Sequence, residues 1–264
     1  MSFAESQKRI VALEGRFRGC PQVQTLGVRP NFLDYTARDR ELMLRAPKIY
    51  YPSSLYAEWL AALGKKTFPS LYNYLFAQDK IKQTGLFQVA GIRHPRTRVF
   101  YGKRQKQTIT EHFDLPFIAK EPRGSALGRG VYLVRSLDDL NRYCQRQGPA
   151  YIQEYLPIDR DIRIVVVGKK VVHAYWRVAA HGNFRSNIAS GGHIDFTAVP
   201  QEALDLAVHT AITCKWDDVG LDICEYQGRY YVLEGNMKYG REGFRKAGID
   251  YIQLMLNLVQ AGEI

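Results

Sequence analysis

Two stretches, DIRIVVVGKKVVHAYWRV (161–178) and LDICEYQGRYYVLEGN (221–236), each hold two β-type runs parted by a very short turn. A parallel pairing needs a crossover of about a dozen residues or more, so each stretch must close as an antiparallel hairpin. Further apolar runs, RTRVFY, LPFIAKEP, GVYLV and YIQEYL, are punctuated by Gly, Pro and Asp, and helical patterns are expected over 137–147, 202–216 and 251–261. The fold class is therefore α+β and not a doubly wound parallel sheet. RIVALEGRF and ELMLRAPKIYYP add a small α/β unit at the amino terminus, and the pattern changes to helical spacing (Leu71, Tyr74, Leu75, Ile81) after Pro69. The expected divisions are 1–68, 69–152 and 153–264. GKKT at 64–67 resembles the end of a phosphate-binding P-loop, but Trp59 stands where that motif requires glycine.

Composition narrows the chemistry. Lys and Arg number 37 against 26 Asp and Glu, a net charge of +11, which favours anionic partners without choosing among them. No helix-turn-helix, zinc-finger or RNP-like pattern accompanies it, so nucleic acid is disfavoured. The four cysteines lack CxxC spacing and the six histidines lack metal-ligand spacing. No run of about 18 apolar residues occurs. The expectation is a cytoplasmic protein with reduced thiols and no membrane association.

On a regular strand, Tyr230, Val232, Glu234 and Asn236 share one face, and Asp222, Cys224 and Tyr226 share a face of the partner strand. A strict two-residue turn at Gln227-Gly228 would set Asp222 opposite Leu233. An odd-length loop, or a one-residue bulge near Gly228, would instead pair Asp222 with Glu234 and gather both acids with Asn236, and this second arrangement is expected. Two carboxylates and an amide oxygen suit Mg²⁺, with Mn²⁺ as a substitute. Taken alone, an ion pair of Glu234 with Lys238 is the commoner use of such an acid.

LPFIAKEPRGSALGRGVYLV places Lys120 at a strand end before a loop with Gly124, Ser125, Gly128 and Gly130. Glycines let the backbone approach a phosphate, and the lysine adds a compact positive charge. Gln153 to Pro157 form an extended connector with free backbone groups. Asp161 and Arg163, two apart, face the same side of the next strand. Arg177, Arg185, Asn187 and paired glycines make a donor-rich segment over 175–193.

In order, Asp79-Lys80, FIAKEPRGSALGRGV, IQEYL, DIRIVVVG, RVAAHGNFRSNIASGG, GLDICEY and YVLEGN resemble the ATP-grasp superfamily, most closely its RimK-like glutamate ligases, over about 70–245. The resemblance implies ATP clamped between two antiparallel-sheet lobes, with Lys80, Lys120 and the loop Gly124, Ser125, Gly128 and Gly130 on phosphates. It places Gln153, Glu154, Tyr155 and Leu156 at the adenine and Asp161 at the ribose. Arg185, Ser186 and Asn187 would line the triphosphate, and Asp222, Glu234 and Asn236 would hold one or two Mg²⁺. The implied chemistry is carboxylate–amine ligation through an acyl phosphate, with Arg163 and Arg185 as the catalytic cations and a small amino acid, an acidic peptide or a protein acceptor as partner. A homo-oligomer is among the partner arrangements compatible with it, and an ATP-grasp kinase and a non-catalytic nucleotide-binding scaffold are the competing readings. The chain departs from the family in two places: Asn236-Met237-Lys238-Tyr239-Gly240 stands where Pro-Gly is common after the metal-binding Asn, and the amino-terminal unit is short.

Overall fold

The structure, a computed structural model, describes residues 10–124, 130–180 and 191–264. Strands β1 (Ile10–Ala12), β2 (Val23–Thr25), β3 (Lys48–Tyr50) and β4 (Lys66–Phe68) form a parallel sheet in the order β2-β1-β3-β4. Strands β5 (Thr97–Phe100), β6 (Phe117–Lys120), β7 (Val131–Val134) and β8 (Ala150–Glu154) form an antiparallel sheet ordered β5-β8-β6-β7. The largest sheet is also antiparallel. It joins β9 (Arg160–Val167), β10 (Lys170–Val178), β11 (His193–Asp195), β12 (Asp218–Tyr226) and β13 (Arg229–Asn236) in the order β11-β10-β9-β12-β13.

Alternation along β9 divides the large sheet into two environments. Ile162, Ile164 and Val166 turn to a core that includes Ala203, Ala207 and Ala211 of the helix Gln201–Thr213, together with Trp216, Leu221, Ile223 and Val232. The three alanines give that helix a smooth face, which lets it lie close to the strands. Asp161, Arg163, Val165 and Val167 take the opposite face. Val165 and Val167 there pack with Ala12, Phe17, Tyr50 and Phe68 of the amino-terminal unit and with Met255 of the helix Tyr251–Gln260. The smaller antiparallel sheet buries Phe117, Ala119 and Ile152 against Leu140 and Tyr143, which leaves Lys120 on its other face.

Both hairpins form as expected, but the second closes differently from the expectation. Tyr226 pairs with Arg229 across a strict two-residue turn, in which Gln227 and Gly228 have φ of 51° and 70°. Both residues in the left-handed region are the mark of the type I′ turn that suits a twisted hairpin. The bulge lies further along: Ile223 pairs with Val232 and Asp222 with Glu234, so Leu233 is the extra residue. Asp222 and Glu234 therefore stand opposite each other, while Val232 and Glu234 do not share a face. Val232 is fully buried with Ile223 on the helix side. An unbroken strand would have sent either that valine to the polar side, losing roughly 1.5–3 kcal/mol of burial, or the glutamate into the core.

Gly235, between Glu234 and Asn236, fixes the end of β13. Its N–H donates to Gln83 Oε1 at 2.9 Å and its carbonyl accepts from Gln83 Nε2 at 2.8 Å. A Cβ at this position would lie 2.7 Å from Cζ3 of the fully buried Trp216. Gly235→Ala is expected to lower the unfolding free energy by about 1–3 kcal/mol through overpacking. Urea denaturation measures this, and an unchanged midpoint would show that Trp216 moves aside without cost.

Candidate active site

The polar face of the large sheet collects its side chains by cross-strand pairing. Asp222 on β12 lies between Arg163 on β9 and Glu234 on β13, and Arg177 on β10 pairs with Asp161. Arg163 donates from Nε to Asp222 Oδ1 at 2.5 Å and from Nη2 to Oδ2 at 3.2 Å. Arg177 grips Asp161 with Nε at 2.6 Å and Nη2 at 2.8 Å, and its Nη2 also lies 2.9 Å from Asp222 Oδ2. All four residues are buried. Burial alone would raise the Asp222 carboxyl, but Arg163 and Arg177 outweigh it and hold the group below the ordinary carboxylate range.

Asn236 completes the cluster. Its Nδ2 donates to Asp222 Oδ2 at 3.1 Å and to Glu234 Oε1 at 3.2 Å. A half-turn of the amide presents Oδ1 at the same point, so that three oxygens from two strands converge there. This donor set fits a hard divalent cation that keeps several water or phosphate ligands. Among the described residues no three His, Cys, Asp or Glu side chains gather for a metal, so the candidate shell depends on the amide. Glu234 does not pair with Lys238; Lys80 Nζ lies 3.3 Å from its Oε2.

Opposite stands Lys120, at the end of β6 and only 8% exposed. Burial depresses its ammonium, Glu234 partly restores it, and Lys80 depresses it further, with a lowered pKa as the net result. A buried ammonium is costly to keep charged, and an anion entering beside it lowers that cost. With Lys80, Arg163 and Arg177 it makes four cations against the three acids Asp161, Asp222 and Glu234, a balance that suits a polyanion carrying its own cation.

The stems of the glycine loop are tied to the start of the helix Lys80–Ala90. Lys80 N–H donates to Pro122 O at 2.9 Å, Gly124 N–H to Gln78 O at 3.3 Å, and Arg123 Nε to Asp79 Oδ2 at 2.8 Å. Glu121 N–H donates to Gly130 O at 2.7 Å, and with φ of +73° a Cβ on Gly130 would lie 2.8 Å from Glu121 Cβ. Ser125, Gly128, Arg185, Ser186 and Asn187 lie outside the described residues.

The side chains at the end of β8 are tied down. Gln153 Nε2 donates to Thr97 Oγ1 at 2.9 Å and Glu154 Oε1 accepts from the Arg96 N–H at 2.6 Å, which ties both side chains to β5 and the residue before it. Tyr155 and Leu156 are half-buried. Asp161 has its carboxylate in the Arg177 ion pair, which fixes its position on the polar face. Arg177 lies within β10 as the hairpin reading places it, but its pairing with Asp161 was not foreseen. The hairpin β9–β10 skips Val172 in its register, so counting outward from the Gly168 turn pairs Asp161 with Trp176.

Residues 77–259 match the RimK-like ATP-grasp domain. The chain belongs to that family. It is 30% identical over 190 residues to the coenzyme γ-F420-2:α-L-glutamate ligase of Methanococcus maripaludis, covering 69% of this chain and 65% of that protein. It is 28% identical over 192 residues to the ribosomal protein bS6–L-glutamate ligase of Escherichia fergusonii, covering 70% and 64%. The chain thus spans a little under two thirds of those relatives. Among solved structures, a RimK domain ATP-grasp protein of Sphaerobacter thermophilus superposes with a TM-score of 0.69 at 15% identity, covering 94% of this chain and 98% of that one. The D-alanine–D-alanine ligase of Bacillus anthracis complexed with ATP gives 0.66 at 15% identity, covering 90% and 86%. The α+β ATP-grasp fold expected from the sequence is the fold observed. No helix among the described residues is long and apolar enough to cross a membrane.

Arg177 balances two buried carboxylates at once. Arg177→Met is expected to cost roughly 3–5 kcal/mol of stability, because it leaves Asp161 without its partner and Asp222 with one guanidinium. Chemical denaturation reads this, and a loss below about 1 kcal/mol would mean that the pair contributes little beyond its own desolvation.

Proposed function

We propose that the chain is an ATP- and Mg²⁺-dependent carboxylate–amine ligase that releases ADP and joins an amino acid such as glutamate to an acidic acceptor. The observation that carries this reading is the meeting of Asp222, Glu234 and Asn236 opposite a buried Lys120. The glutamate ligases among its relatives point the same way for the substrate class. Neither a kinase nor a non-catalytic scaffold has an observation in its favour.

In this reading Lys80 and Lys120 lie along the phosphates, the glycine loop covers them, and backbone groups of Glu154 to Leu156 border the adenine. Asp161 lies near the ribose with Arg177 fixing its position, and Arg185, Ser186 and Asn187 line the triphosphate. Asp222, Glu234 and Asn236 hold the Mg²⁺ or Mn²⁺, which when bound neutralises charge on the transferring phosphoryl group. An acceptor carboxylate oxygen attacks the γ-phosphorus, the bond to ADP breaks, and an acyl phosphate remains. The amine then attacks the acyl carbon, phosphate leaves, and the nitrogen loses a proton to give the amide. Arg163 and Arg185 are the cations for charge that develops on the phosphoryl oxygens and on the tetrahedral carbon. No side-chain nucleophile takes part, so the chain's contribution is positioning and electrostatics.

Incubation of the purified protein with MgATP, L-glutamate and a peptide ending in glutamate is expected to release ADP and to add the mass of one glutamyl residue to the peptide. Mass spectrometry follows the product, and the absence of both signals across a panel of amino acids and acidic peptides would reject the ligase. Glu234→Gln is expected to reduce ADP release by about a hundredfold or more while leaving the melting temperature close to wild type; unchanged turnover would remove Glu234 from the metal shell.

A further inference from the structure

Asp218 begins β12 on the same face as Gly220 and Asp222, and it is fully buried. Each of its oxygens accepts one tyrosine hydroxyl. Tyr51, just after β3 in the amino-terminal unit, donates to Oδ2 at 2.8 Å, and Tyr239, in the loop after β13, donates to Oδ1 at 2.6 Å. Both tyrosines are buried. The Tyr239 hydroxyl also lies 3.2 Å from that of Tyr251, which accepts from Arg16 Nε at 3.0 Å, and the Arg16 guanidinium sits 4.6 Å from the centre of the Tyr239 ring. Tyr51 has a φ of 46°, a conformation that a bulky non-glycine residue keeps only where its surroundings impose it.

Gly220 connects this cluster to the reacting end of the site. A Cβ there would lie 2.9 Å from Tyr239 Cβ and 3.2 Å from Arg163 Cδ. The Tyr239 stem and the Arg163 stem therefore converge over the bare backbone of β12, and Arg163 continues to Asp222. Hydrogen bonds run from Tyr51 through Asp218 to Tyr239, and across the bare Cα of Gly220 the Tyr239 stem faces the Arg163 stem that leads to the candidate metal carboxylate.

We propose that Asp218 latches the amino-terminal unit to the loop after Asn236, so that Tyr51 and Tyr239 are positioning residues for Arg163. The loop that carries Met237-Lys238-Tyr239-Gly240 in place of a proline is thereby fixed by a buried hydrogen bond. The short amino-terminal unit acts on the reaction through the latch without touching nucleotide. The kinetic part of this inference rests on the ligase reading; the structural part does not.

Tyr51→Phe, Tyr239→Phe and the double variant each keep the ring and remove a hydroxyl. Hydrogen–deuterium exchange is expected to rise over 236–241 in Tyr51→Phe, about as far as in Tyr239→Phe, and no further in the double variant. In the assay with MgATP, L-glutamate and a glutamate-terminated peptide, kcat is expected to fall about tenfold in each single variant with the KM for ATP within about twofold. Gly220→Ala, which touches neither hydroxyl, is expected to give the same split of kcat from KM. Exchange changes confined to the neighbourhood of residue 51 would overturn the latch, and coupled exchange with unchanged kcat would overturn its role in placing Arg163. A wild-type protein that releases no ADP would reject the ligase reading, and the exchange measurement would still decide the latch.

Discussion

The Asp222 carboxylate, held between Arg163 and Arg177 on the buried face of a sheet, is the interaction on which the rest of the site depends. A lone carboxylate at that depth would have its charge suppressed by desolvation. Two guanidiniums reverse the effect, because each offers directed N–H donors and neither can release its proton under ordinary conditions. One of them also neutralises Asp161. The cluster is thus interlocked: no member can be removed without leaving a buried charge on another, which is the condition under which buried ion pairs fix a geometry even where they add little net stability.

The sheet can afford this polar face because the centre of its other face is apolar. Ile162, Ile164 and Val166 alternate with Asp161, Arg163 and Val165, so three isoleucine-class side chains packed against Trp216 and the alanine face of a helix anchor the very strand that carries the charges. The same device operates at Gly235, where the backbone meets Trp216 and Gln83 on the core side and sends Glu234 and Asn236 to the cleft. Placement of the candidate ligands therefore follows from packing beneath them as much as from the charges around them.

How much of this was legible in the sequence varies with the kind of feature. The hairpins followed from turn length alone, and the pairing of Asp222 with Glu234 followed from requiring both acids on one face. The location of the bulge did not follow, because nothing in Tyr231-Val232-Leu233 marks which residue is extra; the choice is settled by Val232 fitting beside Ile223 in the core. The pairing of Arg177 with Asp161 was hidden by the same kind of irregularity at Val172. Lys120 was visible as a strand-end lysine before glycines, whereas its burial was not, since that depends on a helix and a second sheet distant in sequence. The side-chain ties of Gln153 to Thr97 and of Glu154 to Arg96 are tertiary contacts with no local signature. Nothing local marked Asp218 either: its two tyrosines come from positions 51 and 239.

The net charge of +11 belongs mostly elsewhere. Among the described residues the candidate site carries four cations and three acids, one surplus positive charge, which MgATP would roughly balance. The remaining excess is distributed over surface lysines and arginines whose fields are screened beyond about 10 Å at 0.1 M salt. Such charge acts on encounter more than on bound geometry, drawing an acidic partner to the surface without choosing the atom that reacts. Two electrostatic tasks are therefore separated in this chain. The surface excess would raise the local concentration of anionic partners, and the nearly balanced, buried set around Asp222 has the fixed geometry that the proposed phosphoryl transfer would require.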